Sequence, residues 1–113
     1  MAQCLFCRIV SGDIPATIVA EPPDTIAFRD INPQAPVHLL VIPRVHHRDI
    51  AALAAADPDL VGRLAADAAA VAKAEGVGEA FRLVFNTGAA AGQSVFHVHG
   101  HVLGGRPLAW PPG

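Results

Sequence analysis

Tyrosine is absent, tryptophan occurs once, and five phenylalanines are the only other aromatic residues in 113. The apolar fraction is 52%, but alanine supplies much of it and buries little area, so the large side chains must fill a core efficiently. Charge is scarce as well, at 16% of residues, which excludes a solvating charge block or a disordered acidic tail. Lysine and arginine together number eight and form no run, so nothing here grips a nucleic-acid backbone. An anionic ligand would have to be held by backbone N–H groups and histidines. No segment approaches the length of a membrane span, and MAQCLFCRIV lacks the charged-then-apolar layout of a signal peptide. The expectation is a cytoplasmic protein without membrane contact, folded as a single domain over residues 1–113. Only two cysteines occur, Cys4 and Cys7, too close together to staple a fold. What is abundant is turn chemistry, ten glycines and ten prolines, and histidine, with six residues of which three fall within five positions.

Cys4 to Ser11 reads as a short helix closed by Gly12. Ile18–Ala20 and Thr25–Arg29 read as strands around the turn Glu21-Pro22-Pro23-Asp24, and His38–Ile42 as a buried central strand bounded by prolines. The main helix starts at Asp57-Pro58, with aspartate as N-cap and proline at the first helical position. Leu60, Val61, Leu64, Ala68, Val71 and Ala72 follow helical spacing from there, and Gly76 terminates it. Ala80–Asn86 and Ser94–Leu103 are two further strands, joined by a loop rich in glycine and alanine. The sum is an α+β domain: a small antiparallel sheet, one main helix and a short N-terminal helix.

Val95-Phe96-His97-Val98-His99-Gly100-His101-Val102-Leu103 alternates with period two, so a strand would project His97, His99 and His101 from one face. Three imidazoles in a row have no packing rationale, because each has two nitrogens that need partners. A solvated face is one reading. A three-histidine metal site is another, although steps of roughly 7 Å along a flat strand suit adjacent pairs better than all three. Nucleophilic catalysis by a neutral imidazole is the third. The preceding loop Asn86-Thr87-Gly88-Ala89-Ala90-Ala91-Gly92-Gln93-Ser94 favours this last reading, since small residues let N–H groups converge on an anion.

Gln93 to Leu103 resembles the signature of the histidine triad (HIT) superfamily, His-x-His-x-His followed by apolar residues. Phe28 to His38 and Val41 to His46 resemble two further motifs of that family. Leu103-Gly104-Gly105-Arg106 with Trp110-Pro111-Pro112-Gly113 is similar to its nucleotide-binding (Hint) branch. The resemblance implies a HIT-like fold that dimerises into a larger continuous sheet. It implies hydrolysis of purine nucleoside 5′-phosphoramidates, such as adenosine monophosphate joined to an amine or lysine. His99 matches the nucleophile that forms a nucleotidyl-histidine, His101 the histidine on the phosphate oxygens, and His38 the upstream active-site histidine. Asn86 and Ser94 match residues bonding phosphate or leaving group, with Gly92 and Gln93 in the same phosphate loop. Asp30 matches the carboxylate on the ribose hydroxyls, and Phe6, Ile9, Phe28 and Ile31 match the base pocket. Read without the family, Asp30 is equally a turn cap, the apolar four are core residues, and His38 is a buried structural histidine.

Cys4-Leu5-Phe6-Cys7 alone leaves redox, metal and chance open, with redox disfavoured because no strand precedes it. Branches of the superfamily with the same pair bind zinc through two histidines, which implies a structural zinc on Cys4, Cys7, His46 and His97 here. His47 is the neighbouring alternative to His46. Related branches also act on dinucleoside polyphosphates or transfer nucleotidyl groups, and a binding module with vestigial chemistry is the non-enzymatic alternative. An intact set of His97, His99, His101, Asn86 and Ser94 speaks against the last.

Overall fold

The computed structural model describes residues 4–113, so residues 1–3 of the expected domain lie outside it. The elements run α1 (Leu5–Ser11), β1 (Ile18–Ala20), β2 (Thr25–Arg29), β3 (Val37–Pro43), α2 (Ile50–Ala56), α3 (Pro58–Ala74), β4 (Phe81–Val84) and β5 (Gly100–Gly104). The five strands form one antiparallel sheet in the order β1-β2-β3-β5-β4. The α+β architecture is the one expected from the sequence.

The two faces of the sheet bury different things. Ala27, Leu39, Val41 and Val102 point toward α2 and α3, where Leu53, Leu60, Leu64, Ala68 and Ala72 complete the main core. The alternate residues Ile26, Phe28, Leu40 and Ile42 face α1 and meet Phe6 and Ile9. Helix α3 starts as its sequence specifies: Asp57 Oδ1 accepts from the Leu60 N–H at 3.1 Å, with Pro58 following. At the far end Gly76, at φ 82°, gives its N–H to Lys73 O while Val77 N–H reaches Ala72 O, the double bond of a Schellman turn. Helix α2 has no counterpart in the sequence reading, although Asp49 caps it by accepting from Ala52 N–H at 2.8 Å. Among the described residues no helix is long and apolar enough to cross a membrane.

Two strands are shorter than expected. The strand predicted over Ala80–Asn86 is β4, Phe81–Val84. The strand predicted over Ser94–Leu103 begins only at Gly100, so His97 and His99 precede it. The cause lies in its neighbour. β3 pairs with β5 up to Val41–Gly100 and then ends on Pro43, which has no N–H to give. The Pro43 carbonyl is already taken by the His97 side chain at 2.8 Å, and Val98 N–H instead reaches His47 O at 2.7 Å. The facing pattern survives without the ladder: Val98 and Val102 join the helix-side core, and the histidines stay on the α1 side.

Candidate functional site

A cavity of about 650 Å³ opens between α1, the end of β2 and the approach to β5. Phe6, Ile9, Phe28 and Leu40 make one apolar wall, and Asp30, Ser94, His99 and His101 make the polar end. Phe6 meets Phe28 edge to face at 5.4 Å and His99 likewise at 5.0 Å, so the apolar wall touches the first reactive group. Ile31 lines the rim with its side chain fully exposed. A larger and more open groove of about 910 Å³ lies beside Lys73, Val77 and Arg106, and it contains none of the histidines.

Backbone partners fix which nitrogen of each imidazole carries hydrogen. His99 Nδ1 lies 2.8 Å from the His97 carbonyl. A carbonyl only accepts, so Nδ1 is the N–H and Nε2 keeps its lone pair. His38 Nδ1 accepts from the Gln34 N–H at 3.0 Å, which puts the His38 hydrogen on Nε2, 2.9 Å from His101 Nδ1. His101 therefore accepts through Nδ1 and carries its own hydrogen on Nε2. Burial pushes the His99 imidazole below its ordinary value, against the opposing pull of the His97 carbonyl and Asp30. His101 is pushed down to about 4 by burial first and then by His99 and His38, with Asp30 opposing. Both are neutral near pH 7, the state a nitrogen nucleophile requires.

The cysteines come together with two histidines. Sγ of Cys4 and Cys7 and one ring nitrogen each of His46 and His97 all lie within 4.8 Å of one another. Cys4 Sγ to His97 Nδ1 is 3.4 Å, Cys7 Sγ to His46 Nδ1 and His97 Nδ1 3.5 Å each, and His46 Nδ1 to His97 Nδ1 3.3 Å. A tetrahedron with metal–ligand bonds of about 2.0–2.3 Å has edges of roughly 3.3–3.8 Å, so the donor set fits zinc. His97 gives its Nε2 hydrogen to Pro43 O, which aims the bare Nδ1 at the sulfurs. Burial lowers His97 to about 4, lowers His46, and raises the Cys7 thiol. His47, the alternative ligand, is outside this group.

Four other candidate residues lie off the cavity wall. His38 sits behind His101 rather than on the cavity wall. Asn86, Gly92 and Gln93 are also absent from that wall. Gln93 is buried and its amide is spent internally: Oε1 accepts from Gly88 N–H at 2.9 Å, and Nε2 donates to Arg48 O at 2.8 Å and Val95 O at 3.1 Å. It braces the loop whose glycines suggested phosphate binding. Gly92 has φ 99°, the left-handed region, and a Cβ there would lie 3.5 Å from the Asn86 amide nitrogen. Leu40 and Val95 also line the cavity, but their strand and loop positions carry no chemical signal in the sequence.

A family model described as the HIT domain matches residues 11–108. An uncharacterized HIT-like protein of Synechocystis is 50% identical over 109 residues, covering 96% of each chain. The protein named adenylylsulfatase HINT1 of Arabidopsis thaliana is 49% identical over 113 residues, covering 96% of this chain and 76% of that one. Among solved structures, a HIT family hydrolase from Legionella pneumophila superposes with a TM-score of 0.93 at 49% identity, covering 98% of this chain and all of that one. A zinc-bound histidine triad family protein from Mycobacterium smegmatis has a TM-score of 0.82 at 37% identity, covering 93% of this chain and 76% of that one.

Proposed function

The chain belongs to the HIT domain family, and from that premise we propose that it hydrolyses purine nucleoside 5′-phosphoramidates through a nucleotidyl-His99 intermediate. The observation that carries the proposal is the His99 tautomer: Nδ1–H held by the His97 carbonyl, Nε2 bare in a cavity of nucleoside size. His99 Nε2 attacks the α-phosphorus, a P–Nε2 bond forms, and the bond from phosphorus to the leaving amine breaks. The Ser94 hydroxyl relays a proton from solvent to the departing amine, giving its own and taking another in the same step. His101 Nε2–H bonds the phosphoryl oxygens as their charge grows. Water then attacks phosphorus, the P–Nε2 bond breaks, and the proton lost by water passes back to solvent through the Ser94 hydroxyl. Phe6, Ile9 and Phe28 hold the base, with Ile31 at the rim, and Asp30 takes the ribose hydroxyls. Asn86, Gly92 and Gln93 shape the phosphate loop from behind.

Incubation with adenosine 5′-phosphoramidate and rapid acid-free quenching should yield adenosine monophosphate and an adenylated peptide containing His99. Turnover that survives His99→Ala unchanged refutes the mechanism. A second substrate class has one supporting observation, the adenylylsulfatase name of the Arabidopsis relative. The same attack on phosphorus with sulfate leaving would serve it, and adenylyl sulfate belongs in the same assay.

Zinc on Cys4, Cys7, His46 and His97 is the second part of the proposal, supported by the donor geometry and by the zinc-bound Mycobacterium smegmatis neighbour. With four protein ligands it supplies no open position, so its contribution is to tie α1 to the segment that carries His99. The chain acts as one HIT domain in the cytoplasm, as a homodimer. The outer position of β4 in the sheet supports the last point, since a second copy can add to that edge.

A further inference from the structure

Asp30 borders two things at once. Its carboxylate lines the cavity, and the same Oδ2 atom lies 3.4 Å from His38 Nε2 and 3.9 Å from His101 Nδ1. Its other oxygen, Oδ1, accepts from the Asn32 N–H at 2.8 Å, so the carboxylate is held in place by its own turn. The Asp30 and His38 side chains are 17% and 4% exposed, and at that burial a charge within 4 Å is weakly screened.

We propose that Asp30 is a positioning residue for the His38–His101 pair in addition to binding the sugar, so that ribose recognition and phosphate chemistry share one charge. His38 Nε2–H lies between two acceptors, His101 Nδ1 and Asp30 Oδ2, and the anion steadies that hydrogen. It also stabilises positive charge on the imidazole pair when phosphoryl oxygens draw on His101 Nε2–H. No other carboxylate serves this pair among the described contacts. The His99 ring lies 5.0 Å from His101 between centroids, and the Arg106 guanidinium is engaged by Gln34 O at 2.9 Å. The Arg29 guanidinium is engaged by Glu75 at 2.9 Å. A carboxylate that met only ribose would matter only when the hydroxyls are present. One that also serves the imidazoles matters without them.

The inference rests on the proposed hydrolysis, and the test separates the two. Asp30→Asn keeps the acceptor for Asn32 N–H and removes the charge. The first readout needs no turnover: imidazole titration of His101 by NMR in nucleotide-free protein should fall by about one pH unit in the variant. The second uses adenosine and 2′,3′-dideoxyadenosine phosphoramidates with both proteins. The variant should turn over the dideoxy substrate with a kcat lower by about fivefold or more, although no sugar hydroxyl remains to be lost. A dideoxy kcat equal to that of the parent protein overturns the inference, as does an unmoved His101 titration. If the parent protein cleaves neither substrate, the proposed hydrolysis fails, while a shifted titration still supports the shared charge.

Discussion

Cys4, Cys7, His46 and His97 form one convergent cluster, Asp30, His38 and His101 another, and in both the donor atoms lie within 4.8 Å. By distance alone either could hold a metal. The hydrogens distinguish them. In the first, Pro43 O takes the Nε2 hydrogen of His97, and a lone pair and two sulfurs are left facing inward. In the second, Gln34 N–H occupies His38 Nδ1, which forces the hydrogen onto Nε2, inside the cluster. That nitrogen cannot ligate, and its 2.9 Å approach to His101 Nδ1 is a hydrogen bond shorter than a zinc-site edge. Convergence of donors is common. The backbone group behind each imidazole decides whether the convergence binds a metal or moves a proton.

The comparison breaks most directly on metal content. Protein purified without chelator should contain one zinc per chain by elemental analysis. Cys4→Ser with Cys7→Ser should contain none and lose on the order of 3–6 kcal/mol of unfolding free energy, because ligation is available only to the folded state. Asp30→Ala should keep its one zinc. Two zinc ions per chain, or loss of metal in Asp30→Ala, would show the second cluster to be a metal site after all.

The proton-moving cluster is tested next by His101→Ala. Its kcat should fall by about 10²–10³, in the range of a lost acid or phosphate donor, with nucleotide affinity changed little and zinc content unchanged. Lost affinity at constant kcat would make His101 a binding residue only.

Both clusters were partly legible in the sequence, for unequal reasons. Alternation in Val95–Leu103 placed the three histidines on one side and Val98 and Val102 on the other, and the structure keeps that pattern. What alternation could not reveal is that Pro43 ends the ladder, freeing His97 to turn toward the cysteines. Asp57-Pro58 announced α3, while α2 stayed hidden because alanine repeats carry little periodicity. The bond from Gln34 N–H to His38 joins a loop to a strand and has no sequence signature, yet it sets the chemistry of the second cluster.

Acid provides a finer comparison. His101 is held at about 4 in the folded protein against an ordinary 6.5, so the unfolded chain takes up its proton first as pH falls. The stability from this residue is present in full above about pH 6.5 and is lost as pH falls toward 4, amounting to about 1–3 kcal/mol. Subtracting the profile of His101→Gln from that of the parent protein should isolate this slope. A flat difference between pH 6.5 and 4 would mean that His101 titrates alike in both states.

The smallest effect is expected at Gln93, the brace on the loop leading into the segment that supplies His97 to one cluster, His101 to the other and His99 beside it. Gln93→Ala removes three hydrogen bonds, to Gly88 N–H, Arg48 O and Val95 O, from a residue that is 3% exposed. The stability cost should be about 1–2 kcal/mol, read from denaturant midpoints, because water can enter and satisfy part of what is lost. Since Gln93 sits outside the cavity wall, the KM for a nucleotide substrate should change by less than about threefold. If KM instead rises by tenfold with stability unchanged, the amide reaches the phosphate in the bound state. The placement suggested by the sequence would then be right, and the internal bonds would exchange for bonds to the phosphate.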